Sequence, residues 1–336
     1  MKKILLIMVG WGMILCSCEK LFYDEEPSTD PVSIFQQTWD FTDREYSFFN
    51  YKNIDWDSVY DVYRDRIRPE MDQEELFDVL ADMLFILKDG HVNLKTPFDR
   101  SRNWFWYLDY PANYDFSVLQ RYYFKGREQY AGPFILMDLD DVGYIHYRSF
   151  SNSVSEENMD YVFEKFRDHK GIIIDVRSNG GGSMFNAVRI ARRFAGSKTL
   201  AVLRQDKTGP GHNDFTGKYD VYVEPLEDRE AYLKPVVILS NRLSYSATNY
   251  MIALMRELPN VTVIGDNSGG GGGIPAYTEL SNGWLLRVSS TRIFTPGGFN
   301  IENGIPPDIK IDITDEDRAN NVDTILEFGL AFVREH

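Results

Sequence analysis

Two stretches decide the fold, because each of them reads as a β-strand, a turn and then a helix. The first is Gly171-Ile-Ile-Ile-Asp-Val-Arg-Ser-Asn-Gly-Gly-Gly-Ser183, which continues as Met184-Phe-Asn-Ala-Val-Arg-Ile-Ala-Arg-Arg-Phe194. The second is Pro235-Val-Val-Ile-Leu-Ser-Asn-Arg-Leu-Ser-Tyr-Ser-Ala-Thr-Asn249, which continues as Tyr250-Met-Ile-Ala-Leu-Met255. In both, an apolar run of strand length gives way to turn residues and then to apolar positions at helical spacing. A glycine turn rich in free N–H groups, beside hydroxyl residues at a helix N-terminus, is what acyl-transfer chemistry requires.

The composition is that of a globular protein large enough for one large domain or two smaller ones. The chain has 336 residues, of which 43% are hydrophobic and 26% charged, and its net charge is −15. A nucleic-acid-binding protein needs a basic surface, so this charge argues against such a partner. We read the acidic surface as a matter of solubility.

The first eighteen residues read as an export signal and not as part of the fold. Lys2 and Lys3 precede an apolar stretch, 4–15, that is too short to span a membrane comfortably. Leu15-Cys-Ser-Cys18 resembles the lipobox of bacterial lipoproteins, and this resemblance implies that Cys18 becomes the acylated N-terminus. It also implies a bacterial cell-envelope location, with the outer membrane as the expected site and the domain outside the cytoplasm. The alternative is a plain secretory signal with two incidental cysteines.

The rest of the chain divides into four segments. Residues 19–33 form a polar, acidic tether. Residues 34–97 are predicted as a small helical domain, in which the amphipathic stretch from Asp72 to Leu87 ends at Lys88-Asp-Gly-His91. Residues 98–133 are dense in aromatics without a clear period and are expected to form an irregular connector with short strands. Residues 134–336 are predicted as an α/β core. Both cysteines of the chain precede the tether, so the mature domain has no internal disulfide.

Ser246 is the candidate nucleophile of the second turn. It lies near Ser240 and Ser244, but helical periodicity begins just after it, which places it at or beside the N-cap. There the positive end of the helix dipole favours a developing negative charge. Serine is also a preferred capping residue, and a hydroxyl needs a base to become a nucleophile. The local pattern alone therefore leaves both interpretations open.

Four motifs in register resemble one family of enzymes. Asp175-Val-Arg-Ser-Asn-Gly-Gly-Gly182 resembles the Asp-Leu-Arg-x-Asn-x-Gly-Gly signature of the family that contains C-terminal processing proteases, the tricorn protease core and retinoid-binding repeats. Ser246-Ala-Thr-Asn249 falls where the family has its Ser-Ala-Ser-Glu nucleophile turn. Val263-Ile-Gly265 resembles the next strand, and Glu302-Asn-Gly-Ile-Pro-Pro-Asp308 resembles the closing motif. The resemblance covers about 140–310 and implies a crotonase-like or Clp-like ββα superhelix.

The resemblance to this family also bears on the general base. One branch of the family uses a lysine downstream of the nucleophile, but here that region is Asn267-Ser-Gly-Gly-Gly-Gly-Gly273, and the only lysine after Lys234 is Lys310. The tricorn-like branch uses a histidine from the segment before the core, and Leu87-Lys-Asp-Gly-His91 resembles its motif. The resemblance thus implies His91 as the base, and an imidazole titrates in the range that suits proton transfer.

The resemblance also suggests the remaining groups. Glu302 matches the acid of the family's closing motif and is expected to orient His91 directly or through water, with Asp89 as the local alternative. The serine that precedes the histidine in the tricorn protease is Gly90 here, so the relay is broken or rerouted. The oxyanion hole would come from the backbone N–H groups of Gly181 and Ala247, with Gly180 or Gly182 as substitutes for the first. Neither a Walker lysine nor a dinucleotide glycine spacing accompanies these glycines.

Together these features predict a lipid-anchored serine endopeptidase that acts on peptides or proteins through Ser246, His91 and Glu302, without a metal or another cofactor. The rival hypothesis is a catalytically inactive protein on the same fold that binds a peptide or a hydrophobic ligand. Two departures from the family pattern favour the rival: Asn249 replaces a glutamate, and Gly90 replaces a serine. The substrate and the oligomeric state are not specified by these patterns.

Overall fold

The computed structural model describes residues 28–101 and 108–336. Numbered along the chain, its strands are β1 Asn93–Lys95, β2 Gln129–Ala131, β3 Phe134–Leu139, β4 Val142–Tyr147, β5 Gly171–Asp175, β6 Thr199–Asp206, β7 Tyr219–Val223, β8 Val236–Ser240, β9 Val261–Gly265, β10 Pro275–Glu279, β11 Leu285–Ser289, β12 Thr291–Phe294 and β13 Ile309–Lys310. Its helices are α1 Pro31–Glu45, α2 Phe49–Lys52, α3 Trp56–Arg64, α4 Gln73–Phe85, α5 Phe116–Val118, α6 Glu156–Lys165, α7 Met184–Arg192, α8 Ala247–Met255, α9 Asp315–Ala319 and α10 Thr324–Glu335.

A seven-stranded sheet forms the centre of the molecule, with the strand order β13-β9-β8-β5-β4-β3-β2. Strands β4, β5, β8, β9 and β13 run parallel to one another, and β3 pairs antiparallel with both β4 and β2 at one edge. Successive side chains of a strand point to opposite faces, so a strand buried on both faces reads as a continuous apolar run. Ile172 and Ile174 of β5 accordingly belong to the core under α6, α7 and α8, whereas Ile173 packs on the other face with α10. This confirms the predicted α/β fold class.

The helical N-terminal segment does not form a core of its own. Helices α1, α3 and α4 pack around a hydrophobic cluster that also contains residues of the β10–β11 hairpin, and these are Leu280, Trp284, Leu286 and Val288. Strand β1 lies in the same small sheet, ordered β1-β11-β10. The segment predicted as a domain over 34–97 is therefore joined to the core by both a shared sheet and shared apolar side chains. The remaining strands form a third sheet in the order β12-β6-β7.

Arg177, in the turn after β5, is a buried structural residue. Its guanidinium contacts the carboxylate of Asp175 at 2.6 Å and that of Asp323, the N-cap of α10, at 2.8 Å. All three side chains are at most 2% exposed. A planar guanidinium that bridges two carboxylates gives well-defined geometry, so the first two charged residues of the Asp-x-Arg-x-Asn motif fix the turn to the C-terminal helix.

Several predicted boundaries differ from the observed ones. Helix α1 begins at Pro31, with Asp30 as its N-cap, so the tether predicted over 19–33 ends earlier. The predicted irregular connector contains α5 and a π-helical turn over Leu119–Phe124, because Asp115 caps α5 by accepting the N–H groups of Ser117 and Val118. The central sheet begins with β2, inside that predicted connector.

The predictions for residues 1–18, including Cys18, lie outside the described residues, as do most of the tether and residues 102–107. Within 28–101 and 108–336, none of the helices combines the length and the apolar character that crossing a bilayer requires.

Candidate active site

Ser246 stands between strand and helix in a backbone conformation that side-chain-bearing residues rarely adopt. It is the N-cap of α8, with φ 60° and ψ −119°. Such a conformation costs about 1–3 kcal/mol and is found where a turn has to present a side chain for function. Its hydroxyl makes no capping hydrogen bond to the helix. The Ser246 side chain therefore does not cap the helix.

The Ser246 hydroxyl contacts the His91 imidazole. Ser246 Oγ lies 2.8 Å from His91 Nε2, and His91 Nδ1 lies 2.9 Å from the carbonyl oxygen of Gly273. A carbonyl oxygen can only accept, so Nδ1 carries the proton and Nε2 is free to accept the serine proton. Burial lowers the pKa of His91 to about 4, which keeps the ring neutral at neutral pH. The arrangement is that of a hydroxyl nucleophile with its general base.

Two elements hold His91 in this place. Asp89 accepts the backbone N–H of His91 at 2.8 Å through Oδ1 and the hydroxyl of Ser289 at 2.8 Å through Oδ2. Two residues after His91, β1 begins and pairs with β11, Asn93 opposite Arg287. The ring of Tyr245 packs edge-on against the imidazole, with centroids 5.1 Å apart.

The structure does not place the Glu302 carboxylate in direct contact with the His91 ring. Both ring nitrogens of His91 already have partners, and Glu302 is neither of them. The Glu302 carboxylate instead accepts from the ammonium of Lys52 at 2.9 Å and from the backbone N–H of Gly272 at 2.9 Å. Burial, together with the charge on Asp89, raises the pKa of Glu302 to about 7. The carboxylate that lies nearest to His91 along the chain, Asp89, was the local alternative, and it holds the backbone of His91, not its ring.

Asp89 is the more acidic of the two carboxyls. Burial alone would raise the pKa of Asp89, but the nearby Lys52 ammonium, together with the hydrogen bonds from the His91 backbone N–H and the Ser289 hydroxyl, leaves that pKa below its ordinary value. Its negative charge in turn favours a protonated His91.

The two predicted oxyanion donors differ in whether their N–H group already has a hydrogen-bond partner. Ala247 is the first residue of α8, and the first N–H groups of a helix have no partner within it. The Gly181 N–H is already donated to Asn179 Oδ1 at 3.0 Å, so it does not face the site in this conformation. Gly182, the substitute named above, makes no backbone hydrogen bond through its N–H within the described residues and lines the same cavity as Ser246.

Gly181 has a steric reason to be glycine. Its φ is +93°, and a Cβ built on it would lie 2.6 Å from the carbonyl oxygen of Tyr245 and 2.8 Å from Ser246 Cβ. The glycine turn therefore packs directly on the nucleophile turn, which is a role separate from hydrogen-bond donation.

A cavity of about 230 Å³ lies beside the Ser246 hydroxyl. Polar residues on its wall include His91 and Arg287. The backbone of the glycine segment 271–273 forms another part of the wall. The remaining lining residues include the apolar or largely apolar side chains of Met184, Tyr250, Ile274, Pro275, Tyr277, Ile293 and Ile301. The cavity thus places an apolar surface next to a hydroxyl nucleophile.

Asn249 has a structural role within this site. Its side-chain amide donates to the carbonyl of Ile301 at 3.0 Å and accepts from the Ser268 hydroxyl at 2.6 Å. The residue that stands where the family has a glutamate therefore fixes the backbone directly before Glu302. Among the described residues no group of three or more His, Cys, Asp or Glu side chains is arranged to hold a metal ion.

Comparison with known proteins agrees with this geometry. The sequence model of Peptidase family S41 matches residues 141–311, half of the chain, and the model of the Tricorn protease C1 domain matches residues 27–85. The chain belongs to peptidase family S41. The first match includes Ser246, and the second covers the helices that precede His91.

Individual relatives cover different shares of this S41 chain. A crystal structure of a candidate peptidase from Parabacteroides merdae is 45% identical, with a TM-score of 0.86 over 91% of this chain and 97% of that one. The carboxy-terminal-processing protease of Bartonella bacilliformis is 27% identical over 168 residues, 50% of this chain and 36% of that protein. The chain thus matches about a third of that relative's length. The tricorn protease structure is 13% identical with a TM-score of 0.58, covering 91% of this chain and 37% of that one, which is a likeness of fold.

We predict that Gly181→Ala in this S41 site slows the reaction of Ser246 on the order of 100-fold, because a displaced nucleophile loses its alignment with the base. The measurement is the rate at which a fluorophosphonate labels Ser246, with thermal unfolding recorded in parallel. Gly180→Ala is the matched control, since a Cβ there meets nothing within 4 Å. Equal rates in both variants would contradict the steric role of Gly181.

Proposed function

We propose that this protein is a serine peptidase that hydrolyses peptide bonds through Ser246 and His91. The single observation that carries the proposal is the 2.8 Å contact between Ser246 Oγ and an unprotonated His91 Nε2, with the opposite ring nitrogen donating to Gly273. Membership of family S41 supports it. The strained backbone of Ser246 supports it further, because a residue that only caps a helix does not need that conformation.

The proposed reaction has two halves. Ser246 Oγ attacks the scissile carbonyl carbon while His91 Nε2 takes the hydroxyl proton, and the imidazolium then gives this proton to the leaving amine. The oxyanion of each tetrahedral intermediate accepts from the Ala247 N–H and from a donor of the glycine turn, for which Gly182 is the better placed in this conformation. Water repeats the steps in the second half and releases the acyl group from Ser246.

We predict that Ser246→Ala and His91→Ala each abolish peptide hydrolysis while the thermal unfolding transition is retained. A fluorophosphonate is expected to label the wild type and not Ser246→Ala, and to label His91→Ala far more slowly, because a hydroxyl without a base is a poor nucleophile. Ser244→Ala, at a buried hydroxyl that donates to the Val176 carbonyl, tests whether labelling is specific to residue 246. An unlabelled wild type that binds a peptide or hydrophobic ligand tightly would favour the inactive ligand-binding protein instead.

The open edge of β10 supports an extended peptide as the substrate. Within the described residues β10 is the last strand of its sheet, and Ile274, Pro275 and Tyr277 line the Ser246 cavity. The Ser290 N–H donates to the Ile274 carbonyl, and the Leu280 N–H donates to the Trp284 carbonyl. These two hydrogen bonds show which residue pairs of the β10–β11 ladder are hydrogen-bonded. Antiparallel pairs alternate between hydrogen-bonded and non-bonded positions, so the backbone groups of Tyr277 face away from β11. A peptide strand that adds there would run past the nucleophile.

We predict that Tyr277→Pro lowers kcat/KM for an extended peptide about tenfold, because it removes one outward N–H that a substrate strand would use. Tyr277→Ala is the matched control, since it loses the same ring and keeps the N–H. The rate of labelling by a small fluorophosphonate, which does not reach β10, should be equal in the two variants. A loss of equal size in both variants on the extended peptide would argue against strand addition.

We further propose that the protein is a lipoprotein of the bacterial cell envelope, anchored through Cys18 with its domain outside the cytoplasm. The support is the Leu15-Cys-Ser-Cys18 sequence after a charged and apolar leader. The outer membrane is the location we propose. Several acyl chains would hold the protein at a membrane far more firmly than one.

We predict that Cys18→Ala abolishes incorporation of an alkyne fatty acid and moves the protein from the membrane to the soluble fraction. Cys16→Ala is the matched control, because it removes the other cysteine and keeps the acceptor. The measurement is in-gel detection of the label in cells that express each variant from the full chain. Label that persists in Cys18→Ala would contradict the anchor.

A further inference from the structure

The ammonium of Lys52 lies between two buried carboxylates behind His91. Its Nζ is 2.9 Å from Glu302 Oε1 and 3.9 Å from Asp89 Oδ2. The three side chains are 12%, 3% and 0% exposed, respectively. The same ammonium donates to the carbonyl of Leu87 at 3.2 Å. Lys52 ends the four-residue helix α2, far from Ser246 in the chain, and no step of the proposed reaction uses it directly.

Each of the two carboxylates holds a different part of His91. Asp89 accepts the backbone N–H of His91 at 2.8 Å. Glu302 accepts the N–H of Gly272 at 2.9 Å, and the carbonyl of the next residue, Gly273, accepts from His91 Nδ1 at 2.9 Å. Glu302 is therefore linked to the ring through the backbone of Gly272 and Gly273, and Asp89 contacts the backbone of His91 directly.

We propose that Lys52 is a positioning residue of the active site, whose ammonium holds Asp89 and Glu302 so that the backbone and the ring of His91 are both aligned with Ser246. The proposal rests on the proposed peptidase function for its kinetic test. Without the ammonium, two buried carboxylates would share this space with no cation between them, and removing one member of a buried charged cluster leaves the rest uncompensated. The expected response is movement or protonation of Glu302, followed by loss of the Gly272 bond.

The charges around this cluster determine how it responds to pH. Among the described residues, the titratable and charged side chains around it come from several elements, and they are Tyr46, Tyr51, Lys88, His91, Tyr110, Arg242, Tyr245 and Arg287. Burial works to raise the pKa of Glu302 and Lys52 works to lower it, with the result lying near 7. Loss of Lys52 therefore raises the pKa of Glu302 further. If the ionised carboxylate is needed, the acidic limb of kcat moves to higher pH in a variant without the ammonium.

The test compares Lys52→Met with three other variants. Lys52→Arg keeps a cation, and the double variant Lys52→Met/Glu302→Gln removes the ammonium together with one carboxylate. Lys165→Met is the matched control, because Lys165 is similarly buried, with 13% of its side chain exposed, and forms an ion pair with Asp138, neither of which lines the catalytic cavity. Each protein is assayed for kcat, KM, the pH dependence of kcat and thermal unfolding.

We predict that Lys52→Met lowers kcat on the order of 100-fold with KM changed less than about threefold, because misplacement of a catalytic group affects the chemical step. Its acidic limb should lie at higher pH than that of the wild type. The double variant should regain most of the lost kcat, and the acidic limb of its kcat should return to the wild-type pH. Lys52→Arg should have a kcat and an acidic limb close to those of the wild type. Lys165→Met should keep the wild-type kcat and limb.

Two results would overturn the positioning role: wild-type kcat and pH dependence in Lys52→Met, or a double variant no better than Lys52→Met. If Lys52→Met does not fold, the double variant and Lys52→Arg still test the positioning role. A double variant that folds but has no activity also contradicts the proposal. A wild type with neither turnover nor fluorophosphonate labelling would instead refute the peptidase function. In that case the 15N shifts of the His91 ring provide a readout without turnover: the Nδ1–H form is expected in the wild type and in Lys165→Met, and a mixture of forms in Lys52→Met.

Discussion

The pairing of β1 with β11 is the interaction on which the site depends. It joins the segment that carries His91 to the core that carries Ser246, across a separation of 155 residues. Strand β10 pairs with the other edge of β11, and Gly273, the acceptor of the His91 ring proton, lies two residues before β10. His91 and Gly273, which sets its tautomer, thus each lie two residues before one of the two strands that flank β11 in one sheet. The apolar cluster shared by α4, β11 and Trp284 buries that sheet and makes the alignment part of the fold.

Burial and charge act against each other around His91. Burial lowers the pKa of the imidazole, with Arg287 acting in the same direction, while the charge on Asp89 raises it. A carbonyl such as that of Gly273 fixes the orientation of the ring, but it carries no full charge with which to stabilise an imidazolium. In this arrangement the orienting function and the charge-stabilising function are divided between two groups, Gly273 and Asp89. In the proposed reaction, the oxyanion of the tetrahedral intermediate adds a negative charge near the imidazolium once the serine proton has moved.

The sequence predicted which two side chains meet better than it predicted the groups behind them. The two strand-turn-helix patterns pointed to Ser246, the family resemblance around His91 together with the absent downstream lysine pointed to His91, and the structure brings these two side chains into contact. Glu302 was placed in the site by its motif, but its contact with Gly272 and Lys52 was not foreseeable, because it depends on a backbone N–H and on a four-residue helix without periodicity. Lys52 had no signal beyond its position among aromatic residues. The Gly181 N–H was expected to face the site, yet the side chain of Asn179 in the same motif occupies it.

The departures at Gly90 and Asn249 favoured an inactive protein while only side chains were considered. In the structure, Asp89 bypasses residue 90 by accepting the backbone N–H of His91, and Asn249 holds the Ile301 carbonyl and the Ser268 hydroxyl without a charge. A backbone donor or acceptor is present whatever the side chain at that position. His91 is held in place by hydrogen bonds of the backbone at residues 91, 272 and 273. This arrangement therefore does not require the serine or the glutamate of the family pattern. What it does require is that the side-chain oxygens accepting those N–H groups stay fixed inside the protein, and in the proposed arrangement the ammonium of Lys52 fixes both carboxylates.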